Sequence, residues 1–285
     1  FSDDRVVHLK DYGMVRVFFE SAINMMRLIC VQTPDDERRL VSLGAKPALV
    51  KVMGSAKYDI AEVDQAAQAR AKDLLKAMGV GGDDLLVVGG STWPGEEAVL
   101  VDMFKNLRGS VPALRLAIVP RHAERAVAIA AEIGRHGLSV ALRSSAGRPG
   151  FTPGDVILVD TTGELAGFYS SAAAVFVGKS LTAHGGQNII EPAALGKPVV
   201  VGPNMENFPG IIRDFLDADA VMQVADAAGL EAALGRLLRD PVLRAGYGTR
   251  AAGVVRSKKG SLRATVELVR AEMARARELL RLTIA

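Results

Sequence analysis

The chain has 285 residues and a formal net charge of +3; hydrophobic residues make up 49% of it and charged residues 24%. This composition is ordinary for a globular protein with a buried core, so it excludes intrinsic disorder as the dominant state. The small positive charge argues against a nucleic-acid partner but leaves room for a local basic pocket. The single cysteine, Cys30, excludes an internal disulfide and a cysteine-based zinc site.

The sequence contains no run of the roughly 18 apolar residues that a membrane span needs, and no recognisable signal peptide. It begins with Phe1 and a polar stretch rather than with a start-like segment. We interpret this as an internal starting point, so a further segment is expected upstream.

Short apolar runs rich in Val, Ile and Leu alternate with helical patterns along the chain. Consecutive apolar positions suit strands that are buried on both faces. Their alternation with helices predicts an α/β fold with a parallel, doubly wound sheet, whose ligands bind beyond the carboxyl ends of the strands. The predicted strands are 28–31, 49–52, 85–88, 114–119, 138–142, 156–159, 174–177, 198–201 and 220–224.

Three helical segments divide the chain. The first, 9–26, has one apolar face that is typical of packing on a core, although nearby basic residues leave a membrane-surface helix as an alternative. A second helix, 61–78, opens a new unit, and a third covers 262–281. We predict three parts. Residues 1–59 hold two strands and form the end of an incomplete N-terminal domain, 60–260 hold seven strands, and 261–285 form a C-terminal helix.

Glycines and hydroxyl residues follow the predicted strand 85–88. Gly89 and Gly90 would let a ligand approach the backbone, and Ser91 and Thr92 could donate hydrogen bonds to phosphate or carboxylate oxygens. An ordinary strand-to-helix turn with an N-cap is the alternative.

Pro120, Arg121 and His122 follow the predicted strand 114–119. An arginine at the carboxyl end of a parallel strand points into the ligand crevice, and its guanidinium can bind phosphate through two hydrogen bonds. A surface salt bridge between Arg121 and Glu124 is the alternative.

The predicted strand 156–159 is followed by the polar segment 160–164. This segment places Gly163 and Glu164 at the start of a helix, where backbone amides can hold an anion or the edge of a base. Simple helix capping is the alternative.

The strongest local pattern lies within 178–203. Gly185 and Gly186 come shortly before a predicted helix, and two glycines there form an anion cradle. Glu191 follows about one turn into that helix, where a carboxylate could accept hydrogen bonds from both ribose hydroxyls. Phosphate alone would not need this carboxylate, so the pairing points to a nucleotide sugar.

Other candidate motifs are weak. Asp217 and Asp219 form a D-x-D triplet, which we interpret as a surface turn rather than a metal site, and the four histidines lack zinc-ligand spacing. The sequence has no G-x-S-x-G motif and no P-loop, and the absence of G-x-G-x-x-G counts against a dehydrogenase.

Taken together, these segments resemble the 3-deoxy-D-manno-octulosonic acid (Kdo) transferases of lipopolysaccharide synthesis. Any one motif is weak, but the set occurs in the family's order over essentially the whole chain. The matching residues are Gln32, 43–45, 54–59, Ser91, Thr92, 95–97, 119–122, Glu124, Arg125, 160–165, 185–194, Gly202, Pro203, Asn207 and Phe208.

The resemblance implies a GT-B fold of two Rossmann-like domains, of which this chain has the C-terminal donor domain and the remnant of the N-terminal acceptor domain. It implies CMP-Kdo as donor and a lipid A precursor (lipid IVA) as acceptor. It also implies a location at the cytoplasmic face of the inner membrane, reached through the missing N-terminal region. No cofactor and no metal are expected.

The same resemblance assigns residue roles. Lys57 matches a lysine that stabilises the transition state. The general base is a glutamate expected in the missing upstream segment, so this chain alone is expected to be inactive. The implied CMP-binding residues are Pro120, Arg121, Thr162, Gly163, Glu164, Asn188, Ile189, Ile190 and Glu191. Further candidate donor contacts are Ser91, Thr92, His122, Gly185 and Gly186.

The chain departs from the family pattern at several positions. Gln187 stands where histidine is frequent, Ile189 and Ile190 replace Pro-Leu, Ala56 replaces leucine, and Trp93 stands where a small polar residue or histidine is common. None of these changes removes a charge that the mechanism needs. Two alternatives stay open. One is a GT-B enzyme that uses a UDP-sugar, similar to lipid A disaccharide synthase or UDP-GlcNAc epimerase, and the other is a nucleotide-binding fragment without catalysis.

Overall fold

The structure, a computed structural model, describes residues 16–60 and 65–284. The chain folds as two compact units. One unit lies within Phe1–Ile60 and Ser257–Ala285, and the other within Ala61–Arg256.

The first unit contains a small parallel sheet. Its elements are α1 (Arg16–Asn24), β1 (Ile29–Val31), α2 (Pro34–Ser42), a 3₁₀ turn at Pro47–Leu49, β2 (Val50–Val52) and α3 (Lys57–Ile60). Strands β1 and β2 pair in parallel, with Ile29 opposite Val50. Helix α2 starts with a capping box, in which Thr33 and Asp36 each bond the other's backbone N–H.

The second unit contains seven strands in one sheet, and every pairing in it is parallel. The strands are β3 (Leu85–Thr92), β4 (Leu114–Pro120), β5 (Val140–Leu142), β6 (Val156–Leu158), β7 (Ala174–Val177), β8 (Val199–Val201) and β9 (Met222–Gln223). Their spatial order is β5-β6-β4-β3-β7-β8-β9. This sheet confirms the predicted parallel α/β fold.

Helices and 3₁₀ turns connect these strands. The helices are α4 (Gln65–Ala77), α5 (Glu96–Arg108), α6 (Ala126–Arg135), α7 (Leu165–Ser171), α8 (Ile190–Ala194), α9 (Pro209–Asp217), α10 (Ala227–Arg239) and α11 (Pro241–Lys258). The turns are Ala123–Arg125 and Arg143–Ser145. Helix α5 packs against α6 and α10, and α7 packs against α4 and α8, so two separate helical layers form around the sheet, as double winding requires.

The core of the second unit forms because its strands are apolar at consecutive positions. Val87 in β3 and Phe176 in β7 are fully buried, as are Leu100 in α5 and Leu234 in α10. All four belong to one hydrophobic cluster. This core fixes the strand ends whose loops carry the polar candidates.

The structure corrects the predicted end of one strand. Gly89, Gly90, Ser91 and Thr92 are not a loop after 85–88, because β3 continues to Thr92, which pairs with Pro120 at the end of β4. The register shifts between Gly90 and Thr92, and Ser91 has a positive φ of 52° there. The ligand-facing turn therefore begins at Trp93.

Several predicted strands are shorter than expected, and two of them lose more than one residue. The run 138–142 forms a strand only from Val140, because the Leu138 N–H donates back to Ile133 of helix α6. In the run 220–224 only Met222–Gln223 is strand, and the Ala220 N–H donates to Phe215 of helix α9. The N–H groups of these residues close the end of the preceding helix, so they are not available for strand pairing.

The last helix, α12 (Ser261–Ile284), belongs to the first unit and is longer than the predicted 262–281. Its start is capped by Asp59, whose carboxylate accepts hydrogen bonds from the backbone N–H of Gly260 at 2.5 Å and of Leu262 at 2.8 Å. Of the predicted helix 9–26, residues 9–15 lie outside the described residues, and α1 ends at Asn24. Residues 61–64 of the predicted helix 61–78 also lie outside them.

Within the described ranges, none of the helices is long and apolar enough to cross a membrane.

Candidate functional site

The candidate site lies at the carboxyl ends of β4, β3 and β7, which are neighbours in the sheet. The chain winds from β3 to β4 on one side and later returns to β7 on the other, so the winding direction reverses at β3. In a doubly wound sheet, ligands bind at this reversal. Trp93 and Arg121 directly follow β3 and β4, and Lys179 is the second residue after β7.

The loops after β3 and β7 are joined by the carboxylate of Glu96. Its Oε2 accepts hydrogen bonds from the backbone N–H of Trp93 at 2.8 Å and of Lys179 at 2.9 Å. Its Oε1 accepts from the N–H of Ser180 and of Leu181, both at 3.0 Å. Glu96 is fully buried in the first turn of α5, where the helix dipole also favours a negative charge. Glu96 was not among the candidate site residues predicted from the sequence.

Glu97 also has a structural role. It accepts two hydrogen bonds from the guanidinium of Arg125, at 2.9 and 3.2 Å, and one from the Thr92 hydroxyl at 2.9 Å. Thr92 and Glu97 are both buried. The Thr92 hydroxyl is therefore a structural group here and does not face a ligand.

The loops pack too closely for larger residues at two glycines. A Cβ at Gly178 would lie 2.5 Å from the Ser91 carbonyl oxygen, and a Cβ at Gly90 would lie 2.0 Å from the hydroxyl of Tyr169. Tyr169 is buried, and burial together with the nearby Glu191 carboxylate raises the pKa of its hydroxyl, which stays neutral. The Tyr169 side chain thus occupies the space beside Gly90 of β3.

Arg121 presents a cation at the end of β4. Its backbone N–H donates to the Thr92 carbonyl at 3.1 Å and its side chain is exposed. The alternative salt bridge to Glu124 is not formed, since Glu124 contacts His122 instead, at 3.3 Å. Of the residues that the structure describes, none bonds the Arg121 guanidinium.

The segment after β6 is anchored by its acidic residues. Glu164, the N-cap of α7, accepts hydrogen bonds from Arg143 at 2.7 and 3.1 Å and from the Thr161 hydroxyl. Thr162 and Gly163 are exposed, and Gly163 has a positive φ of 84°. The carboxylate of Glu164 is therefore partly occupied, and the exposed part of this turn is Thr162 and Gly163.

The glycine pair lies in the loop between β7 and α8. Gly185 donates its N–H to Glu206 at 2.7 Å, and Gly186 donates to the Lys179 carbonyl at 2.8 Å. Burial raises the pKa of Glu206, but hydrogen bonds from His184 and Gly185 outweigh it and lower that pKa overall. The N–H of Gly186 is thus used within the loop, and that of Gly185 is used on the segment that follows β8.

Asn188 and Glu191 flank the start of α8. The Asn188 side chain accepts from the Ile190 N–H at 3.1 Å and donates to the Glu191 carboxylate at 3.1 Å. Both side chains are half-buried, whereas Ile189 and Ile190 are fully buried. Only the polar pair is thus placed to face a ligand with its side chains.

Lys57 lies in the first unit, where it is exposed at the start of α3. Its role in the transition state stays a prediction. Asp219 of the D-x-D triplet forms a surface ion pair with Arg250 at 3.0 Å. Within 16–60 and 65–284, no group of three or more His, Cys, Asp or Glu residues could hold a metal ion.

Comparison with known proteins shows which family the chain is similar to. Residues 7–60 match the family model described as 3-deoxy-D-manno-octulosonic-acid transferase (kdotransferase). The 3-deoxy-D-manno-octulosonic acid transferases of Haemophilus influenzae and Bordetella pertussis are 30% and 33% identical to this chain, each over 91% of its length. Over most of its length, the chain is similar to the Kdo transferases. It spans 60% of the length of these two relatives.

A solved structure matches about two thirds of the chain. The C-terminal CMP-Kdo binding domain of WaaA from Acinetobacter baumannii is 29% identical and has a TM-score of 0.62. The match covers 67% of this chain and 99% of that domain. The predicted GT-B-type α/β fold is thereby confirmed.

Proposed function

We propose that this chain is part of a glycosyltransferase that moves Kdo from CMP-Kdo to a lipid A precursor, lipid IVA. The observation that carries the proposal is the match of 67% of the chain to nearly the whole CMP-Kdo binding domain of the Acinetobacter protein. The polar groups at the carboxyl ends of the sheet support the same conclusion, because that edge binds nucleotides in doubly wound folds.

In this proposal the CMP moiety is held by three loops. Arg121, which follows Pro120 at the end of β4, binds the phosphate with its exposed guanidinium. Thr162 and Gly163, with Glu164 behind them, form the second loop. The third loop contributes the polar side chains of Asn188 and Glu191. Ile189 and Ile190, which lie between them in the sequence, are buried. The further candidates Ser91, His122, Gly185 and Gly186 line the same strand ends.

The chemistry needs stabilisation of charge more than protonation of the leaving group. The anomeric carbon of Kdo is tertiary, so its transition state resembles an oxocarbenium ion, and CMP leaves as an anion. Arg121 would stabilise that negative charge electrostatically without a metal cofactor, and the transition-state role of Lys57 is taken from the family resemblance alone. The acceptor hydroxyl still needs a general base, which we assign to a glutamate of the acceptor domain, upstream of the residues in this chain.

The acceptor also suggests where the enzyme works. A lipid A precursor is a membrane lipid, so we propose that the complete protein acts at the cytoplasmic face of the inner membrane, held there through its N-terminal region. The match of residues 7–60 to the family model supports the assignment of this part of the chain to the acceptor domain.

Calorimetric titration of the chain with CMP, UMP and UDP tests the proposal. We expect selective binding of CMP. A preference for UDP would instead support an enzyme that uses a UDP-sugar. Failure of a folded sample to bind any of the three would contradict the assignment of the donor site.

Glu191→Gln tests recognition of the ribose. We expect the variant to bind CMP about tenfold more weakly, because a charged acceptor of the ribose hydroxyls becomes neutral. Affinity for 2′,3′-dideoxy-CMP, which lacks those hydroxyls, should not change. If wild-type protein binds CMP and the dideoxy compound equally well, Glu191 does not contact the ribose.

A further inference from the structure

Lys179 holds an unusual backbone conformation at the centre of the candidate site. Its φ is +57°, in the left-handed region that side-chain-bearing residues seldom occupy. The conformation is fixed on both sides, because its N–H donates to buried Glu96 and its carbonyl accepts from Gly186. Strained residues of this kind concentrate at ligand-binding sites.

The side chain of Lys179 rests on an aromatic ring. Its Nζ lies 4.5 Å from the centroid of the Trp93 ring, a cation–π contact. One carboxylate oxygen, Oε2 of Glu96, accepts from the backbone N–H of both Trp93 and Lys179. The buried carboxylate thus sets the position of both partners. The ring of His122 packs edge-on against Trp93, with centroids 5.6 Å apart, and confines it from another side.

The ammonium group has no anionic partner in the part of the chain that the structure describes. Glu96 and Glu97, the buried carboxylates that follow Trp93 in sequence, use their oxygens on backbone N–H groups, on Thr92 and on Arg125. A cation–π contact leaves an ammonium free to donate hydrogen bonds away from the ring. Lys179 follows β7, next to β3 at the reversal of winding, where doubly wound sheets bind phosphates.

We propose that Lys179, held in place by Trp93, is a second phosphate-binding cation of this chain and acts beside Arg121 on the phosphate of CMP. This inference rests on the proposed function, since it takes CMP as the nucleotide. Lys179 supplies the charge, and Trp93 is a positioning residue that keeps the ammonium directed at the crevice.

The test compares the affinities of CMP and cytidine by calorimetry in wild-type chain, Lys179→Gln and Lys179→Arg. We expect Lys179→Gln to weaken CMP binding about tenfold or more while leaving cytidine, which lacks the phosphate, unaffected. Lys179→Arg keeps the cation and should retain affinity within about threefold. Lys105→Gln, at an exposed lysine in the last turn of α5, is the matched control and should change neither affinity.

A double-mutant cycle tests the role of Trp93. Trp93→Ala should also weaken CMP binding, and the double variant with Lys179→Gln should lose little more than either single variant, because both act through one ammonium. Fully additive losses would overturn the positioning role. Trp93 is the only tryptophan of the chain, so a change of its fluorescence on addition of CMP to wild-type protein is an independent readout.

The outcomes separate this inference from the proposed function. If wild-type chain selects CMP but Lys179→Gln behaves like the Lys105 control, the inference is wrong and the proposed function stands. An equal loss of CMP and cytidine affinity would also overturn it, because the contact would not be to phosphate. A folded wild-type chain that does not select CMP would overturn both. If Lys179→Gln fails to fold, Lys179→Gly removes the cation and also relieves the left-handed backbone.

Discussion

Replacing Glu96 by alanine is expected to lower the free energy of unfolding by about 3–5 kcal/mol. The buried carboxylate accepts four backbone hydrogen bonds, from Trp93, Lys179, Ser180 and Leu181. Its removal leaves those donors without a partner in a closed space, and each buried unsatisfied donor is costly. Denaturant-induced unfolding, followed by circular dichroism, measures the change.

Two further variants make the result interpretable. Glu124→Ala, at an exposed glutamate in the same region, should change stability by no more than about 0.5 kcal/mol. Glu96→Gln keeps the shape but replaces one acceptor oxygen by a donor, so an intermediate loss is expected. If Glu96→Ala were as stable as the Glu124 variant, the carboxylate would not join the two loops.

Replacing Arg121 by alanine is expected to weaken CMP binding by about 1.5–3 kcal/mol, roughly 10- to 150-fold. The guanidinium is exposed at the end of β4, and none of the described residues bonds it. Its removal should therefore cost a charge-assisted bond to phosphate and little stability. Calorimetric titration with CMP gives the affinity, and thermal unfolding gives the stability.

Arg135→Ala provides the comparison for Arg121. Arg135 is the exposed last residue of α6, so this change removes the same side chain away from the strand ends. We expect unchanged CMP affinity. Equal affinities of the Arg121 and Arg135 variants would remove Arg121 from the proposed site, whatever the stability of either.

The position of most strands could be predicted because each is a continuous apolar run. The run 174–177 is a strand over the predicted residues, and the seven-stranded sheet contains all seven runs predicted for the longer domain. Strand ends were harder, because Gly89 and Gly90 have no side chain that favours a strand. Pairing with both β4 and β7 brings the two glycines into β3, and pairing with β4 extends it to Thr92.

The candidate site was predicted in part for a similar reason. Arg121, Asn188 and Glu191 stand next to strands or glycines in the sequence, so their place at the edge of the sheet could be predicted. The hydrogen bond between the Lys179 N–H and Glu96 could not be predicted, because 83 residues separate the two. The contact exists only once β3 and β7 are neighbours. A pair of acidic residues after a glycine was the one visible signal.

By itself, the sequence determined the class of fold, the carriers of charge and the family, because apolar runs and local motifs are properties of neighbouring residues. Tertiary structure decided which of those charges are available. It buried Glu96 and Glu97 as acceptors within the protein, tied Glu164 to Arg143, and left Arg121 exposed. The reason is physical. A side chain's hydrogen-bonding capacity is limited, and only the packed structure shows how much of it the protein has already used.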